Sequence, residues 1–205
     1  MKKQTKIQLL PFEIELLSDA GIILTKNAIM QKLKSFLEEI QLKQKAIIEK
    51  NISAFPAEVL KTSPKVSRGE NYKGLPWLVL DYPRHFEHGN IFAIRTMFWW
   101  GNFFSVTLQV SGTYKTAFEQ NLANSFNYLL QNNYSICTND TPWEHNFNHN
   151  NYVSLIELTP DKFSAILSSK PFLKLAKKIP ITSWENVPAF VVKSFCEMAQ
   201  LLKTG

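Results

Sequence analysis

Asp81-Tyr-Pro-Arg-His-Phe-Glu-His88 is the densest run of ionisable side chains in the chain. It holds two carboxylates, a phenol, a guanidinium and two imidazoles. His85 could carry a proton there, with Asp81, Tyr82 and Arg84 around a substrate. The run follows a strand-like stretch, and the end of a strand is a common place for chemistry. The same letters also describe a hydrated loop around an Asp-Tyr-Pro turn, because no spacing in them demands one reaction.

Other constellations are weaker. The four histidines, His85, His88, His145 and His149, fall in two segments. With Asp81, Glu87 or Glu144 they would hold a transition metal only if the two segments met. Neither pair sits on a predicted helix, so no metal is expected. Cys137 and His145 would make a thiol–imidazole nucleophile only with a depressed thiol pKa and an oriented base, for which there is no sign. GxxxxGK[ST] and GxGxxG are both absent, and only seven glycines are available to cradle a phosphate. No cofactor is expected.

The arginines are unusual in their placement. Only Arg68, Arg84 and Arg95 occur, all in the middle of the chain, while lysine is missing between Lys73 and Lys115. A planar, multi-donor guanidinium suits recognition of a carboxylate or phosphate better than an ammonium does. The net charge is +6, but the lysines are scattered over segments read as helical. The cluster Lys170, Lys174, Lys177 and Lys178 reads as a solvated face. Aromatics and lysines do not interleave, so a nucleic-acid partner is not expected.

The elements that must position these groups follow from periodicity. Ile29, Leu33, Phe36, Leu37, Ile40 and Ile47 predict a helix from about Thr25 to Lys50. Gln8–Leu17 is either a short strand or a helical turn, and Asn51–Tyr72 reads as a long ordered connection. Trp77–Tyr82, Ile91–Trp100 and Phe103–Ser111 are strand-like, being rich in aromatic and β-branched residues. Thr116–Glu119 has capping-box spacing before an apolar stripe at Phe118, Leu122, Phe126 and Leu129. Tyr134–Thr138 and Tyr152–Leu158 predict two further strands around the polar loop 139–151. Thr159-Pro160-Asp161 opens helical structure reaching Lys178. Thr182–Glu185 opens a last helix with Val187, Phe190, Val191, Phe195 and Met198 inward. Hairpins without βαβ alternation predict one α+β domain over residues 1–205, a mainly antiparallel sheet of about five strands with helices packed on it.

With Gly101-Asn102 as a two-residue turn, paired residues would sum to 203. One face would carry Trp99/Phe104, Met97/Val106, Arg95/Leu108 and Ala93/Val110. The other would carry Trp100/Phe103, Phe98/Ser105, Thr96/Thr107 and Ile94/Gln109. Arg95 then lies on a core face and must be paired, with Asp81 or Glu157 as the candidates. It is either an ion pair fixing register or the floor of a pocket.

Glu70-Asn-Tyr-Lys-Gly-Leu-Pro-Trp-Leu-Val-Leu-Asp-Tyr-Pro-Arg84 with Ile91–Asn102 resembles a group of bacterial conserved-hypothetical proteins without an assigned activity. Arg68-Gly69, Tyr72-Lys73 and Leu75-Pro76 are similar to an RGYK-x-LP stretch of a second uncharacterised bacterial α+β family, here with a two-residue insertion. Neither resemblance implies a catalytic residue.

Aromatics make up 13% of the residues, and their large rigid surfaces suit a core, a pocket or an interface. The basic start Met1–Lys6 is followed by Pro11, Glu13 and Glu15, so no signal-peptide core forms, and no apolar run is long enough to span a membrane. The two cysteines form no disulfide framework. A cytoplasmic location is expected. The leading expectation is a small-molecule or peptide binding domain with its pocket beside the central hairpin. Trp77, Trp99, Trp100 and Phe103 would wall it, and Arg84 or Arg95 would anchor a small anionic ligand. The alternatives are an enzyme using Asp81–His88, or an interaction module or homo-oligomer formed through an exposed aromatic face.

Overall fold

A computed structural model describes residues 7–203; the basic start Met1–Lys6 lies outside them. Seven strands form one antiparallel sheet: β1 (Lys65–Tyr72), β2 (Leu75–Glu87), β3 (Asn90–Trp99), β4 (Phe103–Ser111), β5 (Ser135–Cys137), β6 (Tyr152–Ser154) and β7 (Phe172–Pro180). Their order is β1-β2-β3-β4-β7-β5-β6. The α+β class is as expected, but the sheet is wider. β1 comes out of the expected long connection, and β7 out of the segment read as helical.

The helices are α1 (Pro11–Ser18), α2 (Ala20–Lys50), α3 (Ala57–Leu60), α4 (Gly112–Asn124), α5 (Phe126–Gln131), α6 (Pro160–Ser169) and α7 (Val187–Leu201). Pro11 opens α1, and the Asp19 carboxylate caps α2 by accepting from Gly21 N at 2.8 Å. Thr159 caps α6 as its sequence suggests, accepting from Lys162 N at 3.3 Å. The Thr116 box is not used: α4 starts at Gly112, and Thr116 Oγ1 donates back to Gly112 O. Among the described residues no helix is long and apolar enough to cross a membrane.

The sheet has two unlike faces. On one, Leu78, Leu80, Phe92, Ile94, Phe98, Phe104, Val106, Leu108 and Val110 pack under α2, α4 and α7 as the main core. On the other, Val79, Met97, Trp99 and Phe103 form one small apolar cluster and Cys137, Tyr152, Phe172 and Ala176 another. Phe147, from the loop 138–151, packs against both clusters.

The central hairpin is one residue out from the expected register. Trp99 pairs with Phe103 and Phe92 with Val110, leaving Trp100-Gly101-Asn102 as a three-residue loop with Gly101 at φ +71°. A one-residue slip sends every side chain of a strand to the opposite face. Here it puts Phe104, Val106, Leu108 and Val110 beside Phe92, Ile94 and Phe98 under the helices, and leaves Ser105, Thr107 and Gln109 with Arg95. The hydrophobic pattern of β4, rather than the turn, decides the register. Arg95 therefore lies on the mixed face, not on a core face.

Candidate functional site

β1, β2 and β3 meet on the mixed face around a cavity of about 500 Å³. β1 enters β2 through a two-residue turn, Lys73-Gly74, both at positive φ. That geometry matches the right-handed twist of a hairpin. Gly74 N donates to Asn71 Oδ1 at 3.0 Å and closes the turn. Opposite Trp77 sits Gly69, where a Cβ would fall 2.5 Å from the indole. The missing side chain lets the ring lie on β1 and form one wall.

The acidic and basic members reach the cavity because β2 breaks phase. Asp81 pairs with Arg95 and Arg84 with Ala93, so Tyr82 and Pro83 together oppose Ile94 alone. The Tyr82–Pro83 peptide bond is cis. The extra residue inverts the alternation beyond it. Val79 and Asp81 before the bulge and Arg84 and Phe86 after it all line the cavity.

Arg95 and Asp81 form a two-point pair, Nε to Oδ1 at 2.7 Å and Nη2 to Oδ2 at 3.0 Å. Their side chains are only 13% and 8% exposed. Asp81 is thus the partner, whereas Glu157 faces His149 instead. Arg95 Nη1 lies 3.1 Å from His145 Nε2. Arginine only donates, so Nε2 accepts and the ring proton sits on Nδ1. Behind the ring is Lys174, whose Nζ is 3.5 Å from Nδ1 and donates to Pro142 O at 2.8 Å and Glu144 O at 2.5 Å. A neutral amine fits these neighbours: two N–H groups for the carbonyls and a lone pair toward Nδ1–H. Burial, reinforced by Lys174 and Arg95, takes His145 down to about 2, and burial with the Arg95 charge takes Lys174 down to about 7. His145 is a neutral acceptor at any physiological pH.

Arg84 is less constrained. Its Nε donates to Ser63 O at 2.9 Å, and its backbone carbonyl accepts from the Thr62 hydroxyl. Its two Nη groups have no partner among the described residues. Lys65 from β1 completes the charged lining, so three cations face one carboxylate for a net +2. Tyr72, Trp77, Phe86, Met97 and Trp143 supply flat or apolar surface.

The nine residues expected to form one site are divided. Asp81, Arg84, Arg95 and Trp77 line the cavity. Trp99 and Phe103 lie in the apolar cluster behind it, Trp99 donating from Nε1 to Tyr72 O at 3.1 Å. Trp100 lines a different, apolar groove. Tyr82 packs against the main core, and burial raises its phenol pKa. His85 stacks edge-on with Tyr114 of α4, on the helix side. The Asp81–His88 run therefore does not converge: strand alternation with the phase break puts Asp81 and Arg84 on the cavity face and Tyr82 and His85 on the helix face. Lys65, Tyr72, Phe86, Trp143 and His145 also line the cavity, although they were not among the expected site residues. Gly74, between a polar alternating run and an aromatic strand, is the signal that would have exposed β1. The chain matches no protein-family model, no curated protein and no solved structure.

Proposed function

We propose that this protein binds a small anion carrying a flat apolar body, such as an aromatic carboxylate or aryl phosphate, in the cavity over β1–β3. The observation that carries this reading is the meeting of Arg84, with both Nη groups unused, and a preformed Asp81–Arg95–His145 chain in one aromatic-walled cavity. Arg95 is pinned by its partners and sets the floor, while Arg84 supplies the fork that a carboxylate or phosphate needs. Trp77 and Trp143 would sandwich or flank the body of the ligand.

The test is a thermal-shift screen of aromatic carboxylates and aryl phosphates, followed by calorimetric titration of those that stabilise the protein. Arg84→Gln is expected to weaken binding at least tenfold, since a charge-assisted hydrogen bond is worth about 1.5–3 kcal/mol. In the free protein it should cost no more than the exposed Arg84–Ser63 hydrogen bond, a small drop in the melting midpoint. Failure of every anion at millimolar concentration, or binding indifferent to Arg84→Gln, would overturn the reading.

A further inference from the structure

Among the described residues, the N-terminal arm up to Leu24 buries nothing. Leu9, Leu10, Phe12, Ile14, Leu16 and Leu17 on and before α1 are more than half exposed, and none of the residues of α1 is buried. The first turns of α2 continue the pattern with Ile22, Ile23 and Leu24; the first buried residue of that helix is Met30. This apolar overhang amounts to on the order of 1,000 Å² per chain, more than the ~800 Å² per partner that a stable interface needs. Soluble monomers rarely leave so much contiguous apolar surface open.

The same chain carries a groove with matching properties. It measures about 600 Å³ and is walled by Ile29, Leu33, Phe98, Trp100, Phe104 and Trp184, at the tip of the β3–β4 hairpin. Lys32 lines it, an exposed cation with no ion-pair partner among the described residues. Between Lys2, Lys3 and Lys6 on one side and Lys26 on the other, residues 7 to 25 carry Glu13, Glu15 and Asp19 and no basic residue. An apolar acidic helix and an apolar groove with a free lysine are complementary in both respects.

We infer that the protein is a twofold dimer in which α1 of each copy lies in the hairpin-tip groove of the other. The helical rise makes this feasible. Two α2 overhangs packed antiparallel about Leu24 set Asp19 of one copy opposite Ile29 of the other, at the mouth of the groove, with α1 about 12 Å long leading into it. Both contacts repeat by symmetry, as an isologous interface requires.

Light scattering coupled to size exclusion tests it. The wild type is expected at twice the chain mass of 23.6 kDa, persisting to about 10 µM. Leu16→Glu/Leu17→Glu in the arm and Lys32→Glu or Trp184→Glu in the groove should each give monomers. The arm and Lys32 positions are exposed, so those variants fold normally, and a melting curve checks Trp184→Glu. An equimolar mixture of arm and groove variants should recover some dimer, because one intact arm still meets one intact groove. A wild-type monomer overturns the inference. So does loss of the dimer in the arm variant alone, which would mean that arm packs on arm. Co-sedimentation of the wild type with phosphatidylcholine–phosphatidylglycerol vesicles that is lost in the arm variant would overturn it in favour of a membrane.

Discussion

At the scale of single residues, the unusual feature is how many ionisable groups lie under cover. His145 is neutral in the folded protein down to a pH of about 2, whereas in the unfolded chain it takes a proton near its ordinary 6.5. Between those values the unfolded state binds the extra proton, so this group makes stability fall as pH falls, by up to about 1.4 kcal/mol per pH unit. Lys174 acts in the same sense higher up. Its folded value of about 7 against the ordinary 10.5 makes stability rise with pH across that window. His145→Gln keeps an acceptor for Arg95 and does not titrate. Urea unfolding of that variant at pH steps below 6.5 should show a shallower loss of stability than the wild type. On the helix side, Lys177 Nζ and Tyr134 OH both donate to Glu197 Oε2 at 2.9 Å. Lys177 and Glu197 are 10% and 5% exposed. Lys177→Met takes the nearer cation from the buried carboxylate, leaving it the Tyr134 hydroxyl and Lys193 at 3.8 Å, and is expected to cost up to about 3–5 kcal/mol in chemical denaturation. Lys177→Met/Glu197→Leu should recover most of it.

At the scale of elements, these lysines also show what the sequence hid. β7 alternates Lys174 and Ala176 toward the mixed face with Leu173, Leu175 and Lys177 toward the helices. Both faces carry a lysine whose partners lie far away in sequence, so the segment reads as a solvated helix. Helix α2 and strands β2–β4 were legible because their apolar spacing matches the face they bury. The hairpin register was misread because the turn residues were weighed above the pattern of β4. The phase break in β2 has no local signature except Pro83, and the residues beyond Tyr82 read as a loop rather than a strand, which is why Tyr82 and His85 were grouped with Arg84. One element-level dependence follows from Gly69. Gly69→Val would drive the Trp77 indole off β1, because even a Cβ falls within contact distance of the ring. The variant is expected to lose about 1–3 kcal/mol through overpacking, to shift the tryptophan emission, and to weaken any anion bound in the cavity.

For the whole molecule, the sheet divides the chain into a helix-packed core and a face roofed mainly by the loop 138–151. That loop has no regular structure, yet it is held at defined points. The Tyr72 hydroxyl accepts from His145 N at 2.8 Å and Asn146 N at 3.0 Å and donates to Glu144 Oε2 at 3.0 Å. Burial alone would raise the Glu144 pKa, but the bonds from Tyr72, Lys73 and Asn146 outweigh it and lower it. Tyr72→Phe removes the shared oxygen. Faster hydrogen exchange at the amides of His145 and Asn146, with exchange in α7 unchanged, is the expected outcome.

The bulge at Tyr82–Pro83 has a consequence for descent. Facing direction in a strand depends on counting: Asp81 and Arg84, three positions apart, share the cavity face only because the bulge absorbs one residue, whereas in a regular strand positions two apart share a face. In lineages that share this sheet, an acid and an arginine three positions apart would keep the anion site only with the bulge, and the same pair two apart would keep it in a regular strand. The spacing of this pair, taken together with the presence or absence of the bulge, is therefore a heritable marker of the site.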